Sequence, residues 1–337
     1  TSILLKLTTD AGITGWGEAS PWAVFTGTAE ANAAALSTWF RPILLNADPF
    51  RVSTLMHQAE QAVVHCTEAK AAMEMALFDI VGKALGKPVS DLLGGRVRDS
   101  IPLSFSVANP DFDQDLDMVR RLIADGIRLF KLKTGFLDHA SDLRRLRRLR
   151  ELLPADAELR VDYNQGMEPH DAIRRLRDIE EFRPGFIEQP VCGDQLAALG
   201  RITAALDTPI MADESVFSPV DALVVTSQHL ADLISVKLMK TGGMLRGQQV
   251  AAIAAAGGLA CYGGSMFETG IAATAGVHFI AATANVSLGC EFYQPVYYLA
   301  DDLLTSPFAV SNGHVVVPDA PGLGIEVDEH KVRHYAV

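Results

Sequence analysis

Three stretches of sequence decide the fold of this chain: RVDYNQG at residues 160–166, GFIEQP at 185–190 and PIMADES at 209–215. In each stretch a short apolar run ends in one acid, at Asp162, Glu188 or Asp213. The acids are 26 and 25 residues apart, and about 25 residues is the length of one strand, one helix and two loops. The spacing therefore predicts consecutive β/α units, each with a carboxylate where its strand ends.

The same rhythm continues on both sides of these stretches. Further apolar runs end at or near a polar residue, at Lys133 (FKLK), Lys237 (ISVKL), Tyr262 (LACYGG) and Glu291 (VSLGCEF). From Lys133 to Glu291 the steps are 29, 26, 25, 24, 25 and 29 residues, and IPLSFS at 101–106 supplies an opening strand, which makes eight. Eight near-equal units favour a closed α/β barrel of the TIM type over an open doubly wound sheet, and no G-x-G-x-x-G motif follows an early strand.

The flanking regions have a different pattern. Residues 2–9 and 13–18 predict a β-hairpin, residues 28–45 and 52–85 predict helices, and residues 313–337 return to strand-and-turn character. This first part is therefore α+β, and we expect the tail to rejoin it.

The chain is accordingly predicted to have three parts. Residues 1–98 form an α+β capping domain, residues 99–304 the barrel, and residues 305–337 a C-terminal segment that returns to the cap. Because the sequence starts without Met inside a strand-like run, we expect a first strand and one cap loop to precede Thr1.

Composition and net charge indicate which kinds of binding partner the chain can have. The chain has 337 residues, 49% of them apolar, which is enough for a large buried core, and its net charge of −12 with no basic stripe argues against nucleic acid and anionic membranes. The long uncharged segments 247–267 and 269–290 are rich in Ala and Gly and predict buried structure instead of membrane spans. Four cysteines without a C-x-x-C pair fit a reducing, cytoplasmic location.

The three acids predict a metal site. In a barrel of this type the carboxyl ends of the strands converge at one mouth, so Asp162, Glu188 and Asp213 reach a common point. Isolated acids at strand ends also serve as helix caps, but three in register favour an oxygen-only site for a hard divalent cation such as Mg²⁺ and argue against zinc.

Lysines flank this predicted site. Lys131 and Lys133 are two residues apart on one strand and therefore point to the same side, and Lys237 approaches from the opposite flank. A lysine beside a dication and a second lysine has its charged form disfavoured, which suits it to move a proton. A cation that holds the oxygens of a substrate carboxylate stabilises the enolate that forms when the α proton leaves. The lysine pair is also compatible with a half-exposed strand whose lysines reach solvent.

Two further polar residues are candidates. Glu291 ends the last strand, where it donates or relays a proton or holds Lys237 or the substrate in place. Asn164 lies two positions after Asp162 and points the same way, so we expect it to contact the substrate or support the acids. We expect supporting or capping roles for Glu214, Lys240 and Glu268, and no histidine lies at a predicted strand end.

Taken together, the motifs resemble the muconate lactonizing branch of the enolase superfamily. The resemblance covers nearly the whole chain, and the motifs that carry it are FKLKTG (130–135), RVDYNQG (160–166), IEQP (187–190), PIMADES (209–215), VKLMKTGG (236–243), YGGSMFETGI (262–271), DLLGGRVRDSIP (91–102) and PGLGIEVDE (321–329).

The resemblance implies a modified TIM barrel, (β/α)7β, with an α+β capping domain formed by the N-terminal part and the C-terminal tail. It implies one Mg²⁺ or Mn²⁺ held by the three acids and acid/base roles for Lys133 and Lys237. By the same resemblance, Lys131 steadies the substrate carboxylate or disfavours the protonated form of its neighbour. Glu291 matches the acid on the eighth strand of muconate cycloisomerases. Members of the branch are usually homo-oligomers that act on small carboxylates.

Two features of the sequence, the eighth strand and the cap loop, bear on which substrate of the branch this chain uses. The eighth strand reads GCEFYQP, without the Asp-x-Asp that dipeptide epimerases use for an ammonium group, which disfavours a dipeptide. Its acid followed by Phe and, two further on, by Gln-Pro is similar to the muconate enzymes and favours cycloisomerisation of cis,cis-muconate to muconolactone. The cap loop after Glu18 differs from that of muconate cycloisomerases and predicts Trp22 and Phe25 as pocket-lining residues. The alternatives are a racemase, epimerase or dehydratase acting on an N-acyl amino acid, dipeptide or proline derivative, and a catalytically silent binding barrel.

Overall fold

The computed structural model describes residues 1–336, and its N-terminal part is α+β. An antiparallel hairpin comes first, formed by β1 (Ile3–Thr8) and β2 (Thr14–Ala19), as the sequence predicts. A π-helical turn, Ala35–Phe40, lies between the first two of the helices that follow. These helices are α1 (Ala29–Ala34), α2 (Arg41–Leu44), α3 (Val52–Ala62), α4 (Thr67–Leu85) and α5 (Val89–Leu92).

The predicted helix over residues 52–85 is wrong in one respect, because the structure divides it into α3 and α4. Residues 63–66 form the break, where His65 and Cys66 adopt left-handed backbone with φ of 60° and 44°. A helix cannot continue through two consecutive left-handed residues. The turn brings α4 onto β2, where the backbones approach so closely that a Cβ at Gly17 would lie 1.9 Å from the Ala72 carbonyl oxygen.

Eight parallel strands form one sheet in chain order. A single parallel bridge between Leu103 and Cys290 joins the first strand to the last and closes the sheet into a barrel. The strands are β4 (Ser104–Val107), β5 (Leu129–Lys133), β6 (Glu158–Asp162), β7 (Ile187–Glu188), β8 (Ile210–Ala212), β9 (Leu233–Val236), β10 (Ala260–Gly263) and β11 (Val286–Cys290).

Helices connect these strands on the outside, and seven of the eight strands are followed by one. The last strand, β11, is followed by a π-helical turn, Gln294–Tyr298, so the architecture is (β/α)7β and the predicted fold class is confirmed. The helices are α6 (Phe112–Ala124), α7 (His139–Leu152), α8 (Pro169–Glu180), α9 (Leu196–Ala205), α10 (Pro219–Ser227), the short α11 (Leu238–Thr241) with α12 (Met244–Ala256), and α13 (Gly270–Ala281).

The opening strand predicted over residues 101–106 is a pair of strands with different neighbours. β3 (Ser100–Pro102) pairs antiparallel with β13 (His314–Val316), which pairs with β12 (Val310–Ser311), whereas β4 pairs with β5 in the barrel. The chain changes sheets at Leu103, whose N–H donates to the Gly313 carbonyl at 2.9 Å.

The tail contacts both other parts of the molecule. Beyond β13, Gly322 exchanges backbone hydrogen bonds with Lys87 and Val89, and Leu323 N donates to Asp79 of α4 at 2.9 Å. The tail also contains a helix that the strand-and-turn pattern did not predict, α14 (Glu329–Tyr335), capped by the Asp328 carboxylate. The boundaries 1–98, 99–304 and 305–337 stay predictions, and Val337 lies outside the described residues.

Of the two uncharged segments, the one that follows Glu268 lies largely inside the fold, whereas residues 247–267 are exposed along one side of α12 and at Gly257 and Gly258. Every residue of α13 is buried, because this helix packs between the barrel, β2 and α5. Over residues 1–336, no helix is both long enough and apolar enough to cross a membrane.

Candidate active site

The six predicted site residues at strand ends all lie at the same end of the barrel. Lys133, Asp162 and Glu188 are the last residues of β5, β6 and β7. Asp213, Lys237 and Glu291 directly follow β8, β9 and β11. Because all eight strands run parallel, these positions form a ring at the carboxyl end of the barrel, where TIM-barrel enzymes carry out their chemistry.

Lys131 lies at the centre of this ring and is 1% exposed. Its ammonium contacts three acids: Glu188, with which it forms a short hydrogen bond, Glu291 at 2.7 Å and Asp162 at 3.3 Å. Burial opposes the charged form, but the three carboxylates outweigh it and raise the pKa of Lys131 well above its ordinary value. Lys131 is thus an ammonium in the structure, and it neutralises the acids from below.

Lys133 and Lys237 occupy the two flanks of the ring. Lys133 Nζ lies 2.5 Å from Asp162 Oδ2 and 2.9 Å from Asn164 Oδ1, and Lys237 Nζ lies 2.6 Å from Asp213 Oδ2. The side chain of Lys133 is 22% exposed and that of Lys237 only 6%. The structure therefore brings each lysine to a different acid of the cluster.

Asp213 is fixed by a second lysine that the sequence placed only in a supporting or capping role. Lys240 is fully buried, and its Nζ lies 2.6 Å from both Asp213 Oδ1 and the Asp213 carbonyl oxygen, and 2.9 Å from the Ser235 carbonyl. Burial raises the cost of charge on Asp213, but Lys237 and Lys240 together hold its pKa below the ordinary value. Burial lowers the pKa of Lys240 itself.

Asn164 connects one flank to the neighbouring strand end. Its Oδ1 accepts from Lys133, and its Nδ2 donates to Glu214 Oε1 at 3.2 Å. Asn164 and Gln165 both have left-handed backbone, with φ of 40° and 68°, a conformation that is uncommon for residues other than glycine and least costly for Asn. Burial, followed by the charge of Asp213, raises the pKa of Glu214.

Glu291 contacts Lys131 and also Ser106, whose hydroxyl donates to Glu291 Oε1 at 2.8 Å. Sequence reasoning missed Ser106. Ser106 could have been found only from the register between neighbouring strands, because Ser106 on β4 is the direct partner of Lys131 on β5. It also missed Arg160 and Tyr262 as neighbours of Lys131, although Arg160 is the partner of Lys131 on the other side.

The three acids differ in how far their oxygens are free to bind a divalent cation. Within residues 1–336, no group of three or more His, Cys, Asp or Glu side chains is arranged in this conformation so that it could hold a metal ion, because lysine ammonium groups take the carboxylate oxygens. Glu188 Oε1 is nevertheless buried and has no hydrogen-bond partner among these residues. Burial and then the charge of Asp162 raise the pKa of Glu188, so a positive charge beside it would be stabilising. The donors are all oxygens, and their chemistry fits a hard dication.

A cavity of about 1040 Å³ opens above the ring. Among the predicted residues, Trp22, Lys133, Asn164, Lys237 and Glu291 line it. Lys131 and Phe25 do not: Lys131 lies beneath the acids, and the Phe25 ring covers Lys237 with its centroid 4.5 Å from Nζ.

The cap loop is fixed above the cavity by aromatic contacts. The ring of Trp22 stacks on Phe25 at 6.2 Å and meets Phe267 edge-on at 5.4 Å. Phe25 in turn contacts Phe217, which follows β8. The loop that carries Trp22 and Phe25 therefore contacts residues from the barrel mouth, with Trp22 in the wall of the cavity and Phe25 over Lys237.

Comparison with known proteins gives two matching family models. The model described as "Mandelate racemase / muconate lactonizing enzyme, N-terminal domain" matches residues 1–94, and "Enolase C-terminal domain-like" matches residues 114–331. Among curated relatives, the L-Ala-D/L-Glu epimerase of Bacillus subtilis is 36% identical over 96% of this chain and 88% of its own length. Muconate cycloisomerase 1 of Rhodococcus opacus is 33% identical over 98% and 90%.

Solved structures agree with this result. A crystal structure described as a muconate cycloisomerase from Azorhizobium caulinodans is 50% identical, with a TM-score of 0.90 over 99% of this chain and 92% of that one. The muconate lactonizing enzyme of Pseudomonas putida is 30% identical, with a TM-score of 0.96 over 100% and 94%.

The fold, the site and these relatives together define an enzyme of the isomerase class within the enolase superfamily. More narrowly, the chain belongs to the mandelate racemase / muconate lactonizing enzyme family, in its muconate lactonizing branch. The resemblance drawn from the sequence motifs is therefore confirmed.

Proposed function

We propose that this enzyme moves a proton to and from the carbon α to a substrate carboxylate, through an enolate, and that its substrate is cis,cis-muconate. The observation that carries the proposal is the placement of Lys133 and Lys237. Each ammonium is hydrogen-bonded to a different acid of one cluster, and both line the same cavity. A carbon acid held between them lies within reach of a proton donor on either side.

The acids complete the proposed site. Asp162, Glu188 and Asp213 would hold one Mg²⁺ or Mn²⁺, in agreement with the divalent-metal dependence of this family. When bound, the cation supplies the positive charge that stabilises an enolate. Lys131 remains bonded to Glu188 and Glu291 and keeps these two acids from repelling each other. As part of the proposal, the enzyme is a homo-oligomer, as the branch usually is.

In the proposed reaction, one carboxylate oxygen of muconate adds to the double bond conjugated with the other carboxylate. The electron pair of that double bond moves toward the second carboxylate and gives an enolate. Lys133, the more exposed of the two lysines, donates its proton to the α carbon. The muconate dianion thereby takes up one proton and becomes monoanionic muconolactone, and Lys133 regains its proton from solvent. Asn164 orients Lys133 through its Oδ1.

The site offers no pair of acids for a substrate ammonium group at the last strand. Glu291 is engaged with Lys131 and Ser106, and Tyr293 is packed against Phe105 with ring centroids 4.8 Å apart. A carboxylate without a free amine is therefore the better fit, which supports muconate over a dipeptide.

One observation favours a second candidate. Cycloisomerisation needs a single proton donor, whereas two lysines at opposite flanks suit racemisation, epimerisation or dehydration of an N-acyl amino acid or proline derivative. The cavity of about 1040 Å³ also has room for a substrate larger than a six-carbon diacid.

The two candidates are separated by turnover in D₂O with Mg²⁺ present. A cycloisomerase consumes the conjugated diene, seen as loss of its ultraviolet absorbance, and its muconolactone carries one deuterium at the α carbon. A racemase or epimerase returns deuterium-labelled substrate with inverted configuration. No turnover of muconate, together with labelling of an N-acyl amino acid, would reject the muconate proposal.

A further inference from the structure

A layer of side chains that includes Lys131 fills the barrel directly beneath the strand-end acids. Lys131 and Arg160 are register partners on β5 and β6, and each lies two residues before the strand-end residue of its own strand. Tyr262 on β10 pairs with Ser235, which likewise lies two residues before Lys237. Residues two apart on a strand share a face, so this layer points into the barrel below the site.

The Tyr262 ring is the contact that joins the layer to the site. Its centroid lies 5.5 Å from Lys131 Nζ and 5.0 Å from Arg160 Cζ, and Phe186 packs against it with centroids 5.6 Å apart. All four side chains are buried, at 2% exposure or less. A cation attracted to an aromatic face gains most when both are removed from water, as they are here.

Arg160 holds the ring in place. Its guanidinium lies 4.8 Å from the Phe186 ring as well as against Tyr262, and its Nε lies 2.7 Å from Glu158 Oε1. The Tyr262 hydroxyl makes no hydrogen bond to Lys131, Arg160 or Phe186. The interaction with Lys131 therefore comes from the ring and not from the hydroxyl.

We propose that Tyr262 is a positioning residue, whose ring fixes the Lys131 ammonium between Glu188 and Glu291 while Arg160 fixes the ring. The proposal rests on the proposed function, in which Lys131 keeps the acids in place. The carboxylates contact Lys131 from the mouth of the barrel and the ring contacts it from the layer below. Without the ring, the flexible side chain of Lys131 adopts other rotamers, in which its ammonium contacts one acid at the expense of the others. The acids are then no longer held in one arrangement.

Three variants test this role, assayed with Mg²⁺ on whichever carboxylate the wild-type enzyme turns over. Tyr262→Phe keeps the ring, and we expect kcat/KM within about twofold of wild type. Tyr262→Leu removes the ring, and we expect kcat/KM to fall about tenfold, the scale of a buried cation–π contact. Phe186→Leu is the matched control, because it removes a ring of the same layer that contacts Tyr262 and Arg160 but not Lys131. We expect it to lower thermal stability as much as Tyr262→Leu does, with kcat/KM near that of wild type.

A second series keeps the side chain's shape and so does not depend on Tyr262→Leu folding. Phenylalanines carrying increasing numbers of ring fluorines at position 262 weaken the attraction of the ring for a cation, and log(kcat/KM) should fall stepwise with each fluorine. The same series at position 186 should have no such trend. Equal losses for Tyr262→Leu and Phe186→Leu, or no dependence on fluorination at position 262, would overturn the proposal. Failure of wild type to convert muconate would instead reject the proposed substrate and leave this comparison intact.

Discussion

Lys133 and Asp162 are direct partners at the last position of neighbouring strands, and Lys133 Nζ lies 2.5 Å from Asp162 Oδ2. The register of the sheet thus sets the distance between a candidate proton donor and a candidate metal ligand. Strand ends in a closed barrel move little compared with loops, so this geometry is held without help from a ligand.

Replacement of this lysine should remove the chemical step. We expect Lys133→Met to lower kcat about 1000-fold, within the range found for loss of a general acid or base, while KM changes little. Steady-state kinetics on the accepted carboxylate measures this. Lys87→Met is the control, because Lys87 is an exposed lysine paired with Asp91 far from the mouth, and it should leave kcat unchanged. A Lys133→Met enzyme with wild-type kcat would exclude Lys133 as the proton donor.

Lys240 should matter for folding as well as for the site. Lys240→Met leaves the buried Asp213 carboxylate with one lysine instead of two, and loss of one partner of a buried ion pair costs about 3 kcal/mol in the free energy of unfolding. Urea unfolding measures the change. Lys87→Met, which breaks an exposed pair with Asp91, should cost less than about 1 kcal/mol. Equal losses in the free energy of unfolding for the two variants would show that the buried Lys240–Asp213 pair stabilises the fold no more than an exposed pair does.

Glu74 should make stability depend on pH. This α4 residue is fully buried and accepts from the backbone N–H of Met244 at the start of α12, and burial raises its pKa from 4.5 to about 7. An acid whose pKa is higher in the folded chain holds its proton there at pH values where the unfolded chain has lost it. Stability from this group is therefore present below pH 4.5 and is lost as pH rises to about 7, by about 3 kcal/mol at most.

The measurement is urea unfolding at pH 5 and pH 7.5 for wild type and Glu74→Gln. Glutamine keeps an acceptor for Met244 N and cannot ionise, so the variant should lose less stability than wild type between the two pH values. The other buried acids contribute to both proteins alike and cancel in the difference. Parallel pH dependence for the two proteins would contradict the assignment.

The contact between the cap hairpin and α4 should tolerate no side chain at position 17. A Cβ there would lie 1.9 Å from the Ala72 carbonyl oxygen, so the strand or the helix must move. We expect Gly17→Ala to lower the free energy of unfolding by about 2–3 kcal/mol. Thr14→Ala, on the exposed part of the same strand, should change it by less than about 0.5 kcal/mol. Thermal unfolding that does not distinguish the two would mean that the close approach is not maintained in solution.

The sequence alone predicted the repeating β/α units of the barrel and the residues at the ends of their strands. Acids and lysines at strand ends recur every 25 residues or so, and a closed barrel converts that spacing into a ring. The split at Leu103 was not predictable from the apolar pattern, because IPLSFS reads as one strand and only the distant residues 313–316 show where its first half pairs. The break before α4 depends on two left-handed residues, His65 and Cys66, which carry no glycine to signal the turn.

The candidate active site was also only partly predictable from the sequence. Periodicity identifies which residues lie at strand ends but not which side chains bond to each other. Lys240 lies on the short α11 and contacts Asp213 because the chain turns immediately after β9. The roles of Ser106 and Tyr262 depend on register across strands, which the sequence of any single strand does not contain.

We propose that acids from three consecutive strands bind one divalent cation between two lysines. The most direct test is Mn²⁺ titration of the chelator-treated protein, with free Mn²⁺ measured by its EPR signal. We predict one saturable site per chain in wild type and its loss in Glu188→Gln, the acid whose Oε1 has no partner within residues 1–336. No saturable binding to wild type, or undiminished binding to Glu188→Gln, would contradict the claim.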